Sequence, residues 1–272
     1  MGDCVSERLL QDFDVPAALQ LSAQAEWNQS EDDWRTLLDL APASCLAIEV
    51  DGKLAATTTL LCYGRRLGWI GMVLTKTAYR RRGFAKKLLA KALAHSERMG
   101  IETVKLDATE QGRPLYEQFG FRYEAEIERW SRPGDGSTQL LPLRADAQPV
   151  WQDSDALAFG ADRSALLEKL ARRNAPVSHS RSYLFARQGR TTAYLGPCVG
   201  EDSATVRSLI KDCIRGTSCG WSWDLFSRNS EAVAIARDLG FTPQRHLLRM
   251  TRGRNLRARD GAIYAIAGFE LG

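Results

Sequence analysis

Three consecutive arginines lie at the start of a predicted helix, within "VLTKTAYRRRGFAKKLLAKAL". The helix dipole favours negative charge at this end, so an anionic ligand would resolve the mismatch. Gly83 has no Cβ and lets an anion approach the main chain, and Ala85 keeps the next position small. The pattern of Arg80, Gly83 and Ala85 therefore predicts that the amides of residues 81–86 bind a pyrophosphate, with the arginines adding charge for further phosphates.

Apolar periodicity predicts the elements that position this loop. Residues 45–63 form two strands around the turn Asp51-Gly52, and residues 66–75 form a strand that leads into the arginines. Beyond the loop we predict a helix, a buried strand, a short helix and an alternating strand, at residues 84–99, 104–109, 112–120 and 121–130. This order is typical of a mixed α/β fold.

An internal repeat indicates two copies of one fold. Four positions recur 120 residues further on: Gly120, Phe121, Arg129 and Arg132 correspond to Gly240, Phe241, Arg249 and Arg252. Between the copies, residues 131–150 contain three prolines and two glycines and little periodicity, as linkers do. We predict domains at 1–133 and 150–272, with a linker at 134–149.

Composition excludes several classes of function. The net charge of +4 is small for a nucleic-acid binder, and no apolar run is long enough to span a bilayer. The N-terminus lacks the pattern of a signal peptide, so we expect a cytoplasmic protein. The six cysteines are scattered without metal-ligand spacing. We expect no metal, no nucleic acid and no membrane as partners.

Arg80-Arg81-Arg82-Gly83-Phe84-Ala85 fits the [Q/R]-x-x-G-x-[G/A] loop of the GNAT superfamily of acyl-CoA-dependent N-acyltransferases. The stretch "LDATEQGRPLYEQFGF" is similar to the segment where this family has a strand, a helix bearing a tyrosine, and a Gly-Phe turn. The resemblance covers about residues 5–130 and implies tandem GNAT-like folds when the repeat is considered. It implies acetyl-CoA as cosubstrate and a sheet whose fourth and fifth strands separate to admit the pantetheine arm.

The resemblance also implies which residues hold the cosubstrate. Main-chain groups of Met72, Val73 and Leu74 would bond the pantetheine amides along an open strand edge. The loop and the first helical turn would hold the pyrophosphate, through Arg80, Arg81, Arg82, Gly83, Phe84, Ala85 and Lys86.

The same family resemblance implies that Tyr116 is the acid that protonates the leaving thiolate. A phenol with a pKa of about 10 stays protonated at neutral pH, whereas a thiol has a pKa of about 8.5. Spacing alone favours a different interpretation, in which Leu115, Tyr116 and Phe119 form the packed face of their helix. Both remain open at this point.

The general base is not defined by the family pattern, because "WIGMVLT" lacks the glutamate that many members carry on the fourth strand. Glu26, Asp107 and Glu270 are candidates, as is water.

The acceptor site is predicted near "EWNQSEDDW", where the first helices of the family wall that site. Trp27 and Asn28 offer a flat apolar surface and an amide, whereas Trp34 fits the core and Ser30 fits a helix cap. Core packing remains an alternative for Trp27. Glu270 lies in the apolar tail at 261–272, which must pack either against its own domain or toward the first domain's pocket.

The second half has acidic residues where the first half has arginines: Gly200-Glu201-Asp202-Ser203-Ala204 begins its corresponding helix. Two carboxylates there would cap the helix and repel pyrophosphate, so we predict a degenerate copy that binds no CoA. The sequence thus favours an N-acetyltransferase in which a primary amine, most simply on a small molecule, attacks the thioester directly. A non-catalytic acyl-CoA sensor and an RNA-binding module are the alternatives.

Overall fold

The computed structural model describes residues 2–134, 151–256 and 258–272. The first half contains β1 (Val5–Leu9), α1 (Val15–Gln24), α2 (Glu31–Leu40), β2 (Cys45–Val50), β3 (Lys53–Tyr63), β4 (Leu67–Thr75), α3 (Phe84–Arg98), β5 (Thr103–Ala108), α4 (Arg113–Gln118) and β6 (Arg122–Arg132). The second half contains α5 (Trp151–Phe159), α6 (Ser164–Arg173), β7 (Val177–His179), β8 (Ser182–Gln188), β9 (Ala193–Val199), α7 (Ser203–Ile214), β10 (Trp221–Phe226), α8 (Ser230–Asp238), β11 (Thr242–Gly253) and β12 (Ile263–Ala265). Apart from Gly134, the predicted linker lies outside the described residues.

The strands of the described residues form one mixed sheet, which confirms the predicted mixed α/β fold. Their order is β1-β2-β3-β4-β5-β11-β6-β10-β9-β8-β7, with β12 beside β9. Strand β11 of the second half lies between β5 and β6, and β6 of the first half lies between β11 and β10. Each half therefore completes the sheet of the other.

Three apolar clusters cover this sheet. Helices α1 and α2 of the first half share one cluster with α5 and α6 of the second, so the halves also have a common core. The other two clusters lie under α3 and α4 and under α7 and α8. Side chains alternate between clusters along the strands: Leu60 packs under α3, and Leu61 packs with α1 and α2.

The pairing of the exchanged strands reflects the 120-residue repeat. Ile127 pairs with Leu247, its own repeat counterpart, so an approximate two-fold axis passes between β6 and β11. Arg129 forms a bidentate pair with Asp224 on β10, at 2.6 and 2.7 Å. Its counterpart Arg249 forms one with Asp107 on β5, with both distances 2.9 Å. Each repeated arginine thus binds an aspartate of the opposite half.

Substituting Asp224 with asparagine is expected to lower the free energy of unfolding by about 3–5 kcal/mol, because it leaves Arg129 as a buried, unpaired charge. Asp224 is fully buried and the Arg129 side chain is only 12% exposed. Urea unfolding measures the change. The control is Asp238→Asn in the exposed Arg207–Asp238 pair, for which we expect at most about 1 kcal/mol. Equal losses in the two variants would contradict the assignment of the pair as a buried link.

The sheet opens between β4 and β5. The two strands pair in parallel only where Leu67–Trp69 meets Thr103–Lys105, and they separate beyond that point. The second half has the equivalent arrangement, since β9 and β10 pair only where 193–195 meets 221–223. There, however, β12 pairs with β9 at Cys198 and Val199, and the amide of Ile266 donates to the carbonyl of Asp224 on β10. The second gap is therefore filled by the chain's own tail.

The tail then crosses to the first half. The indole nitrogen of Trp69 donates to the carbonyl of Phe269 at 2.9 Å, and the Tyr63 hydroxyl donates to the carbonyl of Leu271 at 2.6 Å. A Cβ built on Gly71 would lie 2.9 Å from the Cα of Glu270, so glycine is required for this close approach. The sequence left two possibilities for the tail, packing against its own domain or toward the first domain's pocket. In the structure the tail contacts both halves.

Candidate active site

A cavity of about 910 Å³ lies in the open gap between β4 and β5. This volume is in the range of small-molecule and cofactor sites. Its walls come from both halves of the chain. The first half contributes α1 and the segment after it, β4, the arginine loop, the start of α3, β5, α4 and β6, and the second half contributes β11 and the tail.

The loop at one end of this cavity leaves a helix N-terminus open. Gly83 has φ +79°, a left-handed conformation that favours glycine, and a Cβ built on it would meet nothing within 4 Å. Helix α3 begins after it without a side-chain cap. In contrast, Asp202 caps α7 by accepting from the amide of Thr205 at 2.8 Å. Free amides therefore face the cavity mouth at α3, whereas α7 carries its own anion, as the sequence predicted.

Strand β4 bulges beside the cavity. Thr57 pairs with Leu74 and Thr59 with Gly71, so β4 has one extra residue here, and Met72 adopts φ +49°. A bulge redirects main-chain groups away from the regular ladder. Met72, Val73 and Leu74, the residues predicted to bond the pantetheine, all line the cavity at this point.

The cationic residues of the arginine loop and the first turn of α3 differ in whether they line the cavity. Arg80, Arg81 and Lys86 line the cavity, together with Phe84 and Ala85. Arg82 lies outside the lining, where it binds Asp3 at 2.7 Å and stacks on Phe84. The geometry brings together nine of the ten predicted CoA-binding residues and places Arg82 beside them rather than among them.

Tyr116 lies on α4 in the wall of the cavity and is 8% exposed. Its ring contacts Phe121 edge-on, and Leu115 and Phe119 pack against the same apolar cluster. Tyr116 therefore belongs to the packed face of its helix. Burial raises the pKa of Tyr116 above its usual value. The phenol therefore stays protonated at neutral pH and faces a space large enough for a ligand, which is what a proton donor requires.

Only two of the three residues predicted for the acceptor site line the cavity. Trp27 and Glu270 line the cavity, whereas Asn28 does not. The side-chain oxygen of Asn28 accepts from the amides of Thr191 and Thr192, and its nitrogen donates to the carbonyl of Thr192. Its amide thus fixes the turn between β8 and β9. Trp34 is fully buried in the core, and Ser30 caps α2, as predicted.

Glu270 belongs to a buried polar cluster that joins both halves. Its Oε2 accepts from Gln29 Nε2 at 2.8 Å, and its Oε1 accepts from Arg187 Nη2 at 3.2 Å. Arg187 also donates to Asp33, which Arg173 binds from the other side. Burial raises the pKa of Glu270, although Arg187 opposes the shift. Burial also acts on Asp33, but Arg187 and Arg173 hold its pKa below the usual value.

The other two candidate bases are less available. Both oxygens of Asp107 accept from Arg249, and burial raises the pKa of Asp107 while Arg249 opposes the shift. Glu26 is exposed and does not line the cavity.

The cavity-lining residues that the sequence did not assign to the site include Gln29, Arg129 and Arg245. Arg129 was recognised as part of the repeat, but its place in the cavity wall depends on the exchange of β6 and β11, which has no local sequence signal. Gln29 lay inside a segment whose chemistry was assigned to its neighbours. The signal for Arg245 is a departure from the repeat, because its counterpart is Ala125.

Comparison with known proteins agrees with this geometry. Two family models match the chain: the acetyltransferase (GNAT) family at residues 9–121 and an acetyltransferase (GNAT) domain at residues 152–265. The chain belongs to the GNAT acetyltransferase family. The two GNAT domains follow one another along the chain, as the repeat predicted.

This tandem GNAT arrangement has relatives of matching length. The chain is 24% identical over 287 aligned positions to the uncharacterized N-acetyltransferase YitH of Bacillus subtilis (strain 168), covering 99% of this chain and 100% of that protein. A putative acetyltransferase from Pyrococcus horikoshii superposes with a TM-score of 0.86 at 19% identity, over 98% of this chain and 96% of that one. A GCN5-related N-acetyltransferase from Sphaerobacter thermophilus gives a TM-score of 0.63 at 15% identity, over 93% and 98%.

Within residues 2–134, 151–256 and 258–272, no cluster of histidine, cysteine and carboxylate side chains has the arrangement of a metal site. No helix there combines the length and the apolar character needed to cross a membrane.

Proposed function

We propose that this GNAT protein is an N-acetyltransferase that uses acetyl-CoA and a primary amine in a ternary complex. The observation that carries the proposal is the uncapped N-terminus of α3 behind Gly83, at the mouth of a cavity that Tyr116 and Glu270 also line. Free amides, open space at Gly83 and the cations Arg80, Arg81 and Lys86 fit a pyrophosphate, and the bulged edge of β4 fits an extended amide-bearing arm.

Acetyl-CoA supplies an activated acyl group as a thioester. A bond forms between the amine nitrogen and the acetyl carbon, and the carbon–sulfur bond breaks. Glu270 receives the proton that the amine loses, since its raised pKa makes it a stronger base than an ordinary carboxylate. Tyr116 gives a proton to the thiolate and recovers one from solvent. Trp27 provides an apolar wall for the acceptor.

The second domain is proposed to support the first rather than to bind CoA. Its gap is filled by β12, its helix α7 is capped by Asp202, and its tail delivers Glu270 to the first domain's cavity.

Acetyl-CoA-dependent thiol release, measured with pools of primary amines, tests the activity. The expected result is release above the background hydrolysis with at least one pool. Calorimetric CoA binding without release in any pool would instead support the acyl-CoA sensor. Salt-dependent binding of RNA, with no binding of CoA, would support the RNA-binding module.

Tyr116→Phe is expected to lower kcat about tenfold to a hundredfold and to leave the Kd of CoA unchanged. The effect lies toward the low end for general acid catalysis because a thiol of pKa about 8.5 is already a fair leaving group. Steady-state kinetics and calorimetry measure the two quantities. The control is Tyr123→Phe, since Tyr123 is exposed on β6 and outside the cavity. An unchanged kcat in Tyr116→Phe would exclude the acid role.

A further inference from the structure

The acceptor end of the cavity contains a guanidinium without an acidic partner. Arg245 lines the cavity on β11, and its guanidinium makes no hydrogen bond or ion pair with the described residues. Its Cζ lies 5.9 Å from the centroid of the Trp27 ring, and Arg129 lies opposite Arg245 in the strand register. Two carboxylates act on its charge: Asp224, which is already held by the bidentate bond to Arg129, and the exposed Glu26, which forms no ion pair with Arg245.

The surroundings of Arg245 disfavour its charge. Burial, together with Arg129, lowers the pKa of Arg245, although Asp224 and Glu26 oppose the shift. A half-buried arginine that faces a second arginine and forms no ion pair of its own is stabilised by an anion that enters the cavity.

The approximate two-fold axis shows that the fold itself does not need this arginine. The counterpart of Arg245 is Ala125, which is buried on β6 beside Arg249. Two other arginines of these strands, Arg129 and Arg249, are repeat counterparts of each other, and each has its own aspartate. Arg245 is thus a cavity-lining cation that the repeat does not supply on the other side of the axis.

A second unsatisfied group lies in the same wall. Gln29 is 5% exposed and lines the cavity, and its Oε1 has no hydrogen-bond partner among the described residues. Its Nε2 donates to Glu270, which fixes the orientation of the amide, because a carboxylate only accepts. A buried carbonyl oxygen without a donor costs free energy, and an N–H from a ligand removes that cost.

We propose that the acceptor is an amine that also carries a carboxylate, that is, a free amino acid or a close analogue. Gln29 and Glu270 bind its amino group, and Arg245 binds its carboxylate over the face of Trp27. This inference rests on the proposed function, because that function gives the bound amine its role as acceptor. The test itself measures the binding of amines and does not require turnover.

Calorimetry of matched amines, with and without CoA, tests the proposal. The pairs are lysine and cadaverine, histidine and histamine, tryptophan and tryptamine, with phosphoethanolamine and ethanolamine as the phosphate pair. In the intact chain we expect at least one amino acid to bind about tenfold or more tightly than its decarboxylated partner, as one lost charge-assisted interaction predicts. Arg245→Gln removes that difference by weakening only the amino acid. Gln29→Met weakens both members of the pair.

Arg252→Gln is the matched control, because Arg252 lies on the same strand but outside the cavity, where it binds Glu97. It is expected to change neither affinity. The proposal is overturned if no amino acid in the panel binds, if Arg245→Gln weakens both members of a pair equally, or if only phosphoethanolamine depends on Arg245. Failure of the proposed function gives a different result, namely no CoA binding or no thiol release, and leaves the amine titrations interpretable.

Discussion

Gly83→Glu is expected to weaken CoA binding by at least about a hundredfold, because several charge-assisted hydrogen bonds to the pyrophosphate would be lost together. The new side chain would occupy the open space in front of the α3 amides and place a negative charge at the proposed pyrophosphate site. It would also hold a residue with a Cβ at φ +79°. Calorimetry with CoA measures the loss of affinity.

Gly100→Glu is the matched control at the other end of the same helix. Gly100 also has a positive φ, of 67°, and a Cβ built on it meets nothing within 4 Å, so the backbone strain is comparable. Gly100 does not line the cavity, so the affinity for CoA should stay at its original value. If Gly83→Glu binds CoA as tightly as Gly100→Glu does, the pyrophosphate site is not at α3.

Local features of this site could be read from the sequence because each one depends on neighbours in the chain. A strand, a loop with glycine at the turn and a periodic helix lie within about twenty residues, and the structure places β4, Gly83 and α3 accordingly. The acidic start of α7 was predicted for the same reason, since a cap acts within one helical turn.

The exchange of β6 and β11 could not be predicted in this way, because strand pairing across halves leaves no periodic signal in either strand. The repeat of Arg129 and Arg249 was visible, but its cause was not. Their partners Asp224 and Asp107 lie on strands of the opposite half. A repeated arginine within an alternating strand is a signal of such a link only once the register is known.

The location of the tail could not be predicted from the sequence either. Its apolar composition predicted burial, and the structure gives the location: β12 fills the second gap, and the following residues line the first cavity. Asn28 was assigned to the acceptor site because of its position beside Trp27, yet its amide is used by the turn at Thr191 and Thr192. Residue type and proximity along the chain do not specify the direction of a side chain.

Glu270→Gln is expected to lower kcat/KM by at least about a hundredfold, the usual lower range for loss of a general base. Glutamine keeps the shape of the side chain and can still accept from Arg187, so Asp33 and Arg187 retain their bond. The substitution removes the basic oxygen of the only cavity-lining carboxylate among the described residues that is not tied to an arginine in a bidentate pair.

The pH profile separates catalysis from structural damage. Because burial raises the pKa of Glu270 above its ordinary value of 4.5, the fraction of the base form falls as the pH drops through that raised pKa. The kcat/KM of the original chain should therefore decrease on the acidic side at a higher pH than an ordinary glutamate would give, and increase with pH above it. Arg187, Gln29 and Asp33 surround the group, and Asp33, with its lowered pKa, stays charged across this range.

In Glu270→Gln this acidic limb should disappear, so that the remaining activity no longer rises through that pH region. A variant that merely distorted the pocket would keep the limb and lose activity by the same factor at every pH. The same kinetic series on Asp238→Asn, whose side chain is exposed on α8, provides the unchanged profile for comparison. If Glu270→Gln keeps the acidic limb, Glu270 is not the general base, and water or another residue has that role. Glu270 would then only bind the acceptor amine.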